Sequence, residues 1–326
     1  MDDNVQVSVL CWAYNHEKYI RQCLDGFVMQ KGVTFEVIIH DDASTDNTAD
    51  IIREYERKYP SLFKPIYQTE NQYSQHIDIA KEFMIPLVEG KYVAICEGDD
   101  YWTNPYKLKK QYDALDNNPD CYMCAHKVKV INENGTDIGY TCPRIDINTD
   151  IYPKGYICTD YDNAKYIHTS SHFYVAEKYK EFRLKPPKFR QVAPVGDIPA
   201  LLYFTAFGKL YYFNEVMSHY RFMSIGSWSY QNANNVEKEI RQRDIDKKMK
   251  TMFVEYCSYT GGKYDNCFKD VIRNFELNEY WYCINHKDYK SLFKEFSYKE
   301  LMGFGLEKKA MLKMKLQMLF PKLFKS

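Results

Sequence analysis

Three acidic residues follow a short apolar segment of the sequence: Glu97, Asp99 and Asp100. The apolar segment runs from Tyr92 to Cys96 and is typical of a buried strand. Carboxylates gathered at the end of a buried strand repel one another and lose hydration, which is unfavourable unless a cation or a ligand compensates them. A hard divalent metal ion that carries phosphate oxygens would do so. The alternative is an ordinary turn, in which acidic residues are common.

The first part of the chain alternates predicted strands and helices. Apolar runs predict strands at 6–12, 34–40, 63–68 and 92–97. Helical spacing of apolar residues predicts helices at 17–29, 48–59 and 77–89, and another helix starts at Asn104-Pro105. We expect Asn15 to cap the first helix. This alternation is typical of a parallel sheet with helices on both faces.

Polar loops follow three of these predicted strands, at 13–15, 41–46 and 97–101. Ligands of parallel sheets bind beyond the carboxyl ends of the strands. The topology therefore predicts that the three loops converge on one edge of the sheet. Within the second loop, we expect Asp41 and Ser44 to form the turn or to cap the helix that follows.

The second half of the chain is less regular. Strands are predicted at 127–130 and at 167–175, and the latter would place His168, Ser170 and His172 on one face. Asp197 precedes a predicted helix at 198–204. From about Asn232 the sequence becomes charged and helical. We therefore expect a domain over residues 1–230 and a helical extension over residues 231–326.

Composition excludes several classes of protein. The formal net charge is zero, so no overall field attracts nucleic acid. Cys121 and Cys124 form a lone C-x-x-C without a second pair at zinc-finger spacing, which favours buried free thiols and a reducing compartment. We find no apolar segment of a signal peptide and no run near the ~20 residues that cross a bilayer. We expect a cytoplasmic protein.

The motifs together resemble those of the inverting family 2 glycosyltransferases of bacterial surface-polysaccharide and capsule synthesis. The matching segments are Val7–Asn15, Asp41–Thr48, Glu97–Trp102 and Gly196-Asp197, within residues 5–225. The resemblance implies the GT-A fold, which is an α/β fold with a Rossmann-like, mainly parallel sheet flanked by helices. The part of the chain after Asn232 carries no motif that we can assign.

The resemblance implies a nucleotide site in the first two loops. Ala13, Tyr14 and Asn15 would border the base, with the ring of Tyr14 stacked on it, although the ring alternatively packs the loop. Asp42 would accept a hydrogen bond from a ring N–H. Uracil and thymine offer that donor and cytosine does not, which favours a uridine or thymidine donor.

The resemblance also assigns the acidic cluster. Asp99 and Asp100 would hold Mn²⁺ or Mg²⁺ and the ribose, and the ion would offset charge on the leaving diphosphate. Glu97 stands where the family more often has Asp, and its longer side chain would reach the ribose or a water. Arg221 lies in a polar segment with His219, Ser224, Ser227 and Trp228 that would close over the diphosphate. An ordinary surface loop is the alternative.

Asp197 matches the general base of the family. An inverting transfer needs a carboxylate that takes the proton of the acceptor hydroxyl on the face opposite the leaving group. The alternative role for Asp197 is that of a helix cap. His168 and His172 would line an acceptor pocket, or would be ordinary half-buried histidines.

The C-terminal segment, 306–326, carries six Lys and one Glu among many apolar residues. Such a segment suits an anionic membrane surface, which would make the protein peripheral at the inner face of the cell membrane. The apolar residues spread nearly all round a helix, however, so no clean amphipathic stripe is predicted. Packing against the rest of the chain or against a partner subunit is the alternative.

We therefore expect a metal-assisted, inverting transferase of the hexosyl or N-acetylhexosaminyl type. It would move a sugar from a nucleotide-sugar, with UDP favoured, to a hydroxyl of a glycan or lipid-linked glycan. The alternative is a non-catalytic glycan-binding or scaffold protein on the same fold, against which the retained acidic residues argue. The loop after the first strand has no Gly, which argues against nucleotidyl transfer and dehydrogenase chemistry.

Overall fold

The structure is a computed structural model that describes residues 4–144, 151–152, 166–224, 227, 230 and 237–319. The chain forms two compact units. The first unit comprises residues 1–191 and 195–235, and the C-terminal unit comprises residues 192–194 and 236–326. Trp228 and the end of the C-terminal segment, 320–326, lie outside the described residues.

Four parallel strands form one half of the sheet in the first unit. Their order is β3-β2-β1-β4, with β1 at Val7–Ala13, β2 at Phe35–Asp41, β3 at Phe63–Tyr67 and β4 at Tyr92–Ile95. Ala13 is in register with Asp41, so the loops after β1 and β2 leave the sheet side by side. The predicted strands of this half are confirmed.

The other half of the sheet contains antiparallel pairs. It continues in the order β9-β6-β10-β5, and only β6 and β10 in this path are parallel. The strands after β4 are β5 at Tyr101–Trp102, β6 at Cys121–Ile131, β7 at Asp137–Cys142, β8 at Ile151–Tyr152, β9 at Phe173–Val175 and β10 at Lys209–Arg221. The sheet is therefore mixed.

Helices flank this sheet. They are α1 at Ile20–Val28, α2 at Thr48–Lys58, α3 at Lys107–Asp116, α4 at Ala176–Leu184, α5 at Lys188–Val192 and α6 at Asp197–Phe207. In place of the α-helix predicted at 77–89, the structure has a π-helical turn at Ala80–Met84 and a 3₁₀ turn at Ile85–Leu87. Pro86 has no N–H for the α-helical ladder, which explains the difference.

The strand predicted over 167–175 is wrong in its first part. A 3₁₀ turn at Thr169–Ser171 precedes β9, so His168 and His172 do not share the face of one strand. Ser171 causes the turn, because its N–H and its hydroxyl both donate to the carbonyl of His168, at 3.0 and 2.7 Å. Such local bonds compete with a sheet ladder.

The C-terminal unit is helical in its described part. Its helices are α7 at Lys238–Tyr259, α8 at Asp265–Asn285, α9 at Tyr289–Glu295, α10 at Tyr298–Gly303 and α11 at Lys308–Leu319. A small core joins α8 to α11, and its buried members include Tyr280, Leu292 and Met311. The prediction of an α/β fold with helices at the C-terminal end is confirmed. Among the helices described, none combines the length and the apolar composition that a membrane span requires.

The first unit buries a lysine in its core. Lys107, at the start of α3, is 0% exposed. Its Nζ donates to Oε1 of Gln111 at 2.7 Å and lies 4.0 Å from the ring centre of Trp102. The ring face favours the charged amine, but burial dominates and lowers the pKa of Lys107 to about 7.

This buried amine predicts a pH-dependent stability. The pKa is about 7 in the folded protein against 10.5 for an ordinary lysine, so between these values the unfolded chain binds the proton that the folded protein has released. The free energy of unfolding should therefore rise with pH in this window, by up to ~1.4 kcal/mol per unit. We expect denaturant unfolding to show this rise in the wild type relative to Lys107→Met.

The control is Lys109→Met, which removes an exposed lysine of the same helix. The difference in the free energy of unfolding between this variant and the wild type should not change with pH in this window. If the corresponding difference for Lys107→Met were also independent of pH, the lowered pKa of Lys107 would be contradicted.

Candidate functional site

The loops after β1 and β2 bind each other through Asn15. Its N–H donates to Oγ of Ser44 at 2.9 Å, and its Oδ1 accepts the N–H of Thr45 at 2.8 Å. Asn15 has a φ of 54°, a left-handed conformation that Asn tolerates better than most residues. The predicted capping role of Asn15 is wrong, since α1 is preceded by Tyr19 and has no side-chain cap. The polar groups of Asn15 are used between loops instead.

Two aspartates at the end of β2 have different partners. Asp41 Oδ2 accepts the N–H of Ser44 at 3.2 Å, which confirms the predicted turn, and burial raises the pKa of Asp41. Asp42 is 4% exposed, and its carboxylate accepts the N–H groups of Gln72 at 2.7 Å and Tyr73 at 3.0 Å. Its contact with a base stays a prediction. That contact would use the remaining lone pairs of this carboxylate.

An open aromatic ring lies beside this pair of loops. Tyr14 is 44% exposed, whereas Ala13 before it is buried at the end of β1. The carbonyl of Ala13 accepts the N–H of Asp42 at 3.0 Å. An exposed ring next to a buried carboxylate is a surface on which a flat polar ligand can stack.

Two carboxylates and one histidine lie together after β4. Ligating atoms of Glu97, Asp100 and His168 are all within 4.8 Å of one another. Asp100 is 1% exposed, and its Oδ1 accepts the N–H of Arg221 at 2.8 Å. Asp100 Oδ2 has no hydrogen-bond partner in the described structure and lies 3.6 Å from Nδ1 of His168. A buried carboxylate oxygen without a partner is costly, and a cation at this position would compensate it.

The surroundings of Glu97 and Asp100 disfavour the ionised form of both side chains. Burial, the charge of Asp99 and the charge of Asp197 raise the pKa of Glu97 to about 7, and the Thr169 hydroxyl opposes this by donating to Oε2 at 3.2 Å. Burial and the charge of Asp99 raise the pKa of Asp100 well above its usual value. A divalent cation would reverse both shifts. The residues present therefore fit a metal ion.

His168 carries a neutral imidazole. Burial lowers its pKa to about 3. Its ring stacks on that of Tyr220, with centroids 3.8 Å apart. A neutral imidazole can offer a lone pair to a metal ion.

Asp99 belongs to the same loop but has other partners. Its Oδ2 accepts the hydroxyl of Ser224 at 2.7 Å. Asp99 is outside the group of three whose ligating atoms converge, so its role as a metal ligand stays a prediction. Its charge nevertheless acts on both neighbouring carboxylates.

Arg221 holds the acidic loop in place. It is 4% exposed at the end of β10, and its Nε donates to the carbonyl of Asp99 at 3.1 Å. Its Nη1 donates to the carbonyl of Glu133 at 2.8 Å and its Nη2 to Oε1 of Gln22 at 2.9 Å. These bonds occupy most of the guanidinium, so the expected phosphate contact of Arg221 stays a prediction.

Asp197 is the first residue of α6. Its Oδ2 accepts the hydroxyl of Tyr166, and its Oδ1 accepts the N–H of Ile198 at 2.8 Å. The charge of Asp197 contributes to raising the pKa of Glu97. The role of Asp197 as a general base stays a prediction.

Sequence reasoning missed two hydroxyls of this site. Tyr166 donates to Asp197, and Thr169 donates to Glu97. Neither lies in a motif, because both belong to the irregular segment before β9. For Thr169 the available signal was the polar run from His168 to His172, which is rich in hydroxyl groups, whereas Tyr166 lies outside this run.

A family model described as glycosyl transferase family 2 matches residues 8–182. An uncharacterized protein of Mycobacterium tuberculosis is 47% identical over 132 residues, which cover 40% of this chain and 37% of the relative. The putative teichuronic acid biosynthesis glycosyltransferase TuaG of Bacillus subtilis is 35% identical over 109 residues, 33% of this chain and 41% of that protein. The matched region thus spans less than half the length of these relatives.

Solved structures resemble the whole fold at low sequence identity. Staphylococcus aureus TarS 1–349 in complex with UDP-GlcNAc has a TM-score of 0.55 at 15% identity, over 95% of this chain and 79% of that chain. The mannosyltransferase PcManGT of Pyrobaculum calidifontis in complex with GDP-Man and Mn²⁺ has a TM-score of 0.53 at 16% identity, over 98% and 88%. The predicted GT-A fold is confirmed.

The buried position of Arg221 predicts a large effect of a conservative substitution. Lysine keeps the charge but cannot reproduce the planar fork, so Arg221→Lys leaves buried carbonyl groups unpaired. We expect the free energy of unfolding to fall by about 3 kcal/mol in denaturant titrations.

The matched control is Arg21→Lys, which alters an exposed ion pair with Glu54. A loss of less than ~1 kcal/mol is expected there. Equal losses in both variants would contradict the role of Arg221 as the clamp of the acidic loop.

Proposed function

The chain belongs to glycosyl transferase family 2. From this premise we propose that it transfers a sugar from a UDP-sugar to a hydroxyl of a glycan or lipid-linked glycan, with inversion of the anomeric configuration. The observation that carries the proposal is the convergence of the ligating atoms of Glu97, Asp100 and His168, with the charge of Asp197 acting on Glu97. We propose residues 1–230 as the transferase domain and assign surface-polysaccharide synthesis as its setting.

The donor nucleotide would bind between the loops after β1 and β2. The exposed ring of Tyr14 offers a stacking surface, and the loop is held by Asn15. Asp42 is compatible with uridine, because a carboxylate accepts the ring N–H of uracil. The structural neighbour TarS was solved with UDP-GlcNAc, and the neighbour PcManGT with GDP-Man.

Mn²⁺ or Mg²⁺ would be held by Asp99 and Asp100, with Glu97 and His168 beside them. Carboxylate oxygens are the ligands that these ions prefer. When bound, the ion would offset the charge that grows on the leaving diphosphate. The unpartnered oxygen of Asp100 supports this site most directly.

Asp197 would act as the general base. Its carboxylate would take the proton of the acceptor hydroxyl while that oxygen attacks the anomeric carbon opposite the diphosphate. The bonds from Tyr166 and Ile198 hold the carboxylate in one orientation. A fixed carboxylate reduces the entropy that is lost on reaching the reactive geometry.

A cytoplasmic location, peripheral at the inner face of the membrane, completes the proposal. Nine described cysteines are free, which suits a reducing compartment. A lipid-linked acceptor would be reached from that face. Arg221 would contribute to the diphosphate site through its remaining N–H.

Asp197→Asn should separate base catalysis from binding. We expect kcat to fall by about 10²–10⁴, because the amide cannot accept the proton, while the Kd for UDP stays the same. UDP release would be measured with the most active donor of a UDP-sugar panel, and UDP binding by calorimetry.

Asp265→Asn is the matched control, since Asp265 is also the first residue of a helix, α8. It should keep wild-type turnover. Wild-type turnover of Asp197→Asn would remove Asp197 from the role of base and leave it as a helix-terminal charge.

Asp99→Asn combined with Asp100→Asn should abolish metal-dependent UDP binding. The substitutions keep the shape of both side chains but remove the charges that would bind Mn²⁺. Calorimetric titration of UDP with and without Mn²⁺ measures the effect, and circular dichroism checks the fold.

Asp137→Asn, an exposed aspartate of β7 paired with Lys129, serves as the control and should bind UDP normally. Metal-dependent binding that survives the double substitution would refute the proposed metal site. Glycan binding without turnover of any donor would instead favour the non-catalytic alternative.

A further inference from the structure

Helix α11 has two apolar faces, and only one of them is covered. Met311 is buried and Met314 partly buried, and both pack in the small core of the C-terminal unit. Leu312, Leu316 and Leu319 are 61%, 39% and 63% exposed. Spacings of four and three residues place the three leucines in one stripe along the helix. We call this stripe the leucine face.

Lysines border the leucine face on both sides. At 3.6 residues per turn, Lys308 and Lys315 lie on the side toward the methionines. Lys309 and Lys313 lie on the opposite side. The helix contains no Asp or Glu, although the whole chain has a formal net charge of zero. Positive charge is therefore concentrated around the exposed leucines.

One of these lysines is folded against neighbouring aromatic rings. Nζ of Lys315 lies 4.6 Å from the ring centre of Tyr298 and 5.1 Å from that of Phe293. Its alkyl chain therefore runs along the apolar surface. Lys308, Lys309 and Lys313 are exposed and available to an external anion.

We propose that the leucine face docks on the surface of an anionic lipid bilayer. The leucines would enter the boundary between headgroups and acyl chains, and the lysines would meet the phosphates of the headgroups. Because lysines lie on both sides of the leucine face, a bilayer surface that is uniformly anionic is complementary to it in charge. A helix of twelve residues is ~18 Å long, so one stripe offers far less than the ~800 Å² that a specific protein partner usually covers.

The inference concerns a surface other than the transfer site and does not depend on the proposed chemistry. The two apolar faces also explain why the sequence predicts no clean stripe. Met311 and Met314 pack inward, whereas the three leucines and Met318 are exposed, and together they fill most of the helix circumference.

Sedimentation with vesicles tests the proposal on the full chain. Vesicles of phosphatidylcholine are compared with vesicles that contain an equal share of phosphatidylglycerol. We expect the wild type to bind the anionic vesicles at least about tenfold more strongly, and added salt to weaken the binding. The variant Leu312→Gln/Leu316→Gln/Leu319→Gln should lose about tenfold or more of this affinity.

Two further variants separate the contributions. Lys309→Gln/Lys313→Gln should reduce both the affinity and its salt dependence. Ile240→Gln/Val254→Gln removes exposed apolar residues of α7 and should bind as the wild type does. Circular dichroism checks the fold of each variant, and donor turnover in solution should be unchanged in all of them.

Equal binding of the wild type and the leucine variant, or no binding of the wild type, would overturn the proposal. Dimers that dissociate on the leucine substitutions would also overturn it, because they would assign the face to a second copy of the chain. Loss of vesicle binding with normal donor turnover would support the lipid surface and leave the proposed transfer untouched.

Discussion

Repulsion among buried carboxylates is the constraint on which this fold depends. Glu97, Asp99 and Asp100 follow one strand within four residues, and the charge of Asp197 acts on Glu97 from another element. Burial strengthens this repulsion, which is why the pKa values of Glu97 and Asp100 rise. A stable protein would ordinarily avoid such a group. A cation at the carboxyl edge of the sheet, as we propose, would compensate this repulsion.

Distant parts of the chain hold the cluster in place. Arg221, at the end of β10 and more than a hundred residues away in sequence, donates its backbone N–H to Oδ1 of Asp100 and its Nε–H to the carbonyl of Asp99. The turn that contains Thr169 and follows His168 is held by the indole of Trp102, which donates to the carbonyl of Ser170 at 3.0 Å. Gln111 donates to the next carbonyl, at 2.8 Å, and so ties α3 to the same turn. The acidic residues are therefore positioned by rigid elements, as electrostatic preorganisation requires.

Local patterns predicted the parallel half of the sheet, because its strands are apolar runs whose partners follow in regular order. They also predicted the convergence of three loops on one edge. They failed where polar side chains form hydrogen bonds that the apolar pattern does not encode. Asn15 looked like a helix cap, but its partners are Ser44 and Thr45. The segment before β9 was predicted as a strand, but it forms a turn in which the hydroxyl of Ser171 donates to the carbonyl of His168. The burial of Lys107 had no signal in the sequence, since the two other lysines of its helix, Lys109 and Lys110, are both partly exposed.

We propose that the acidic cluster binds a metal ion which carries a uridine diphosphate. A crystal of the protein with UDP and Mn²⁺ tests this directly, because the anomalous scattering of manganese distinguishes it from protein atoms and water. We expect an anomalous peak within coordination distance of Asp99 or Asp100, and a uracil ring whose N–H faces Asp42. A peak elsewhere in the molecule, with the nucleotide away from these three residues, would contradict it.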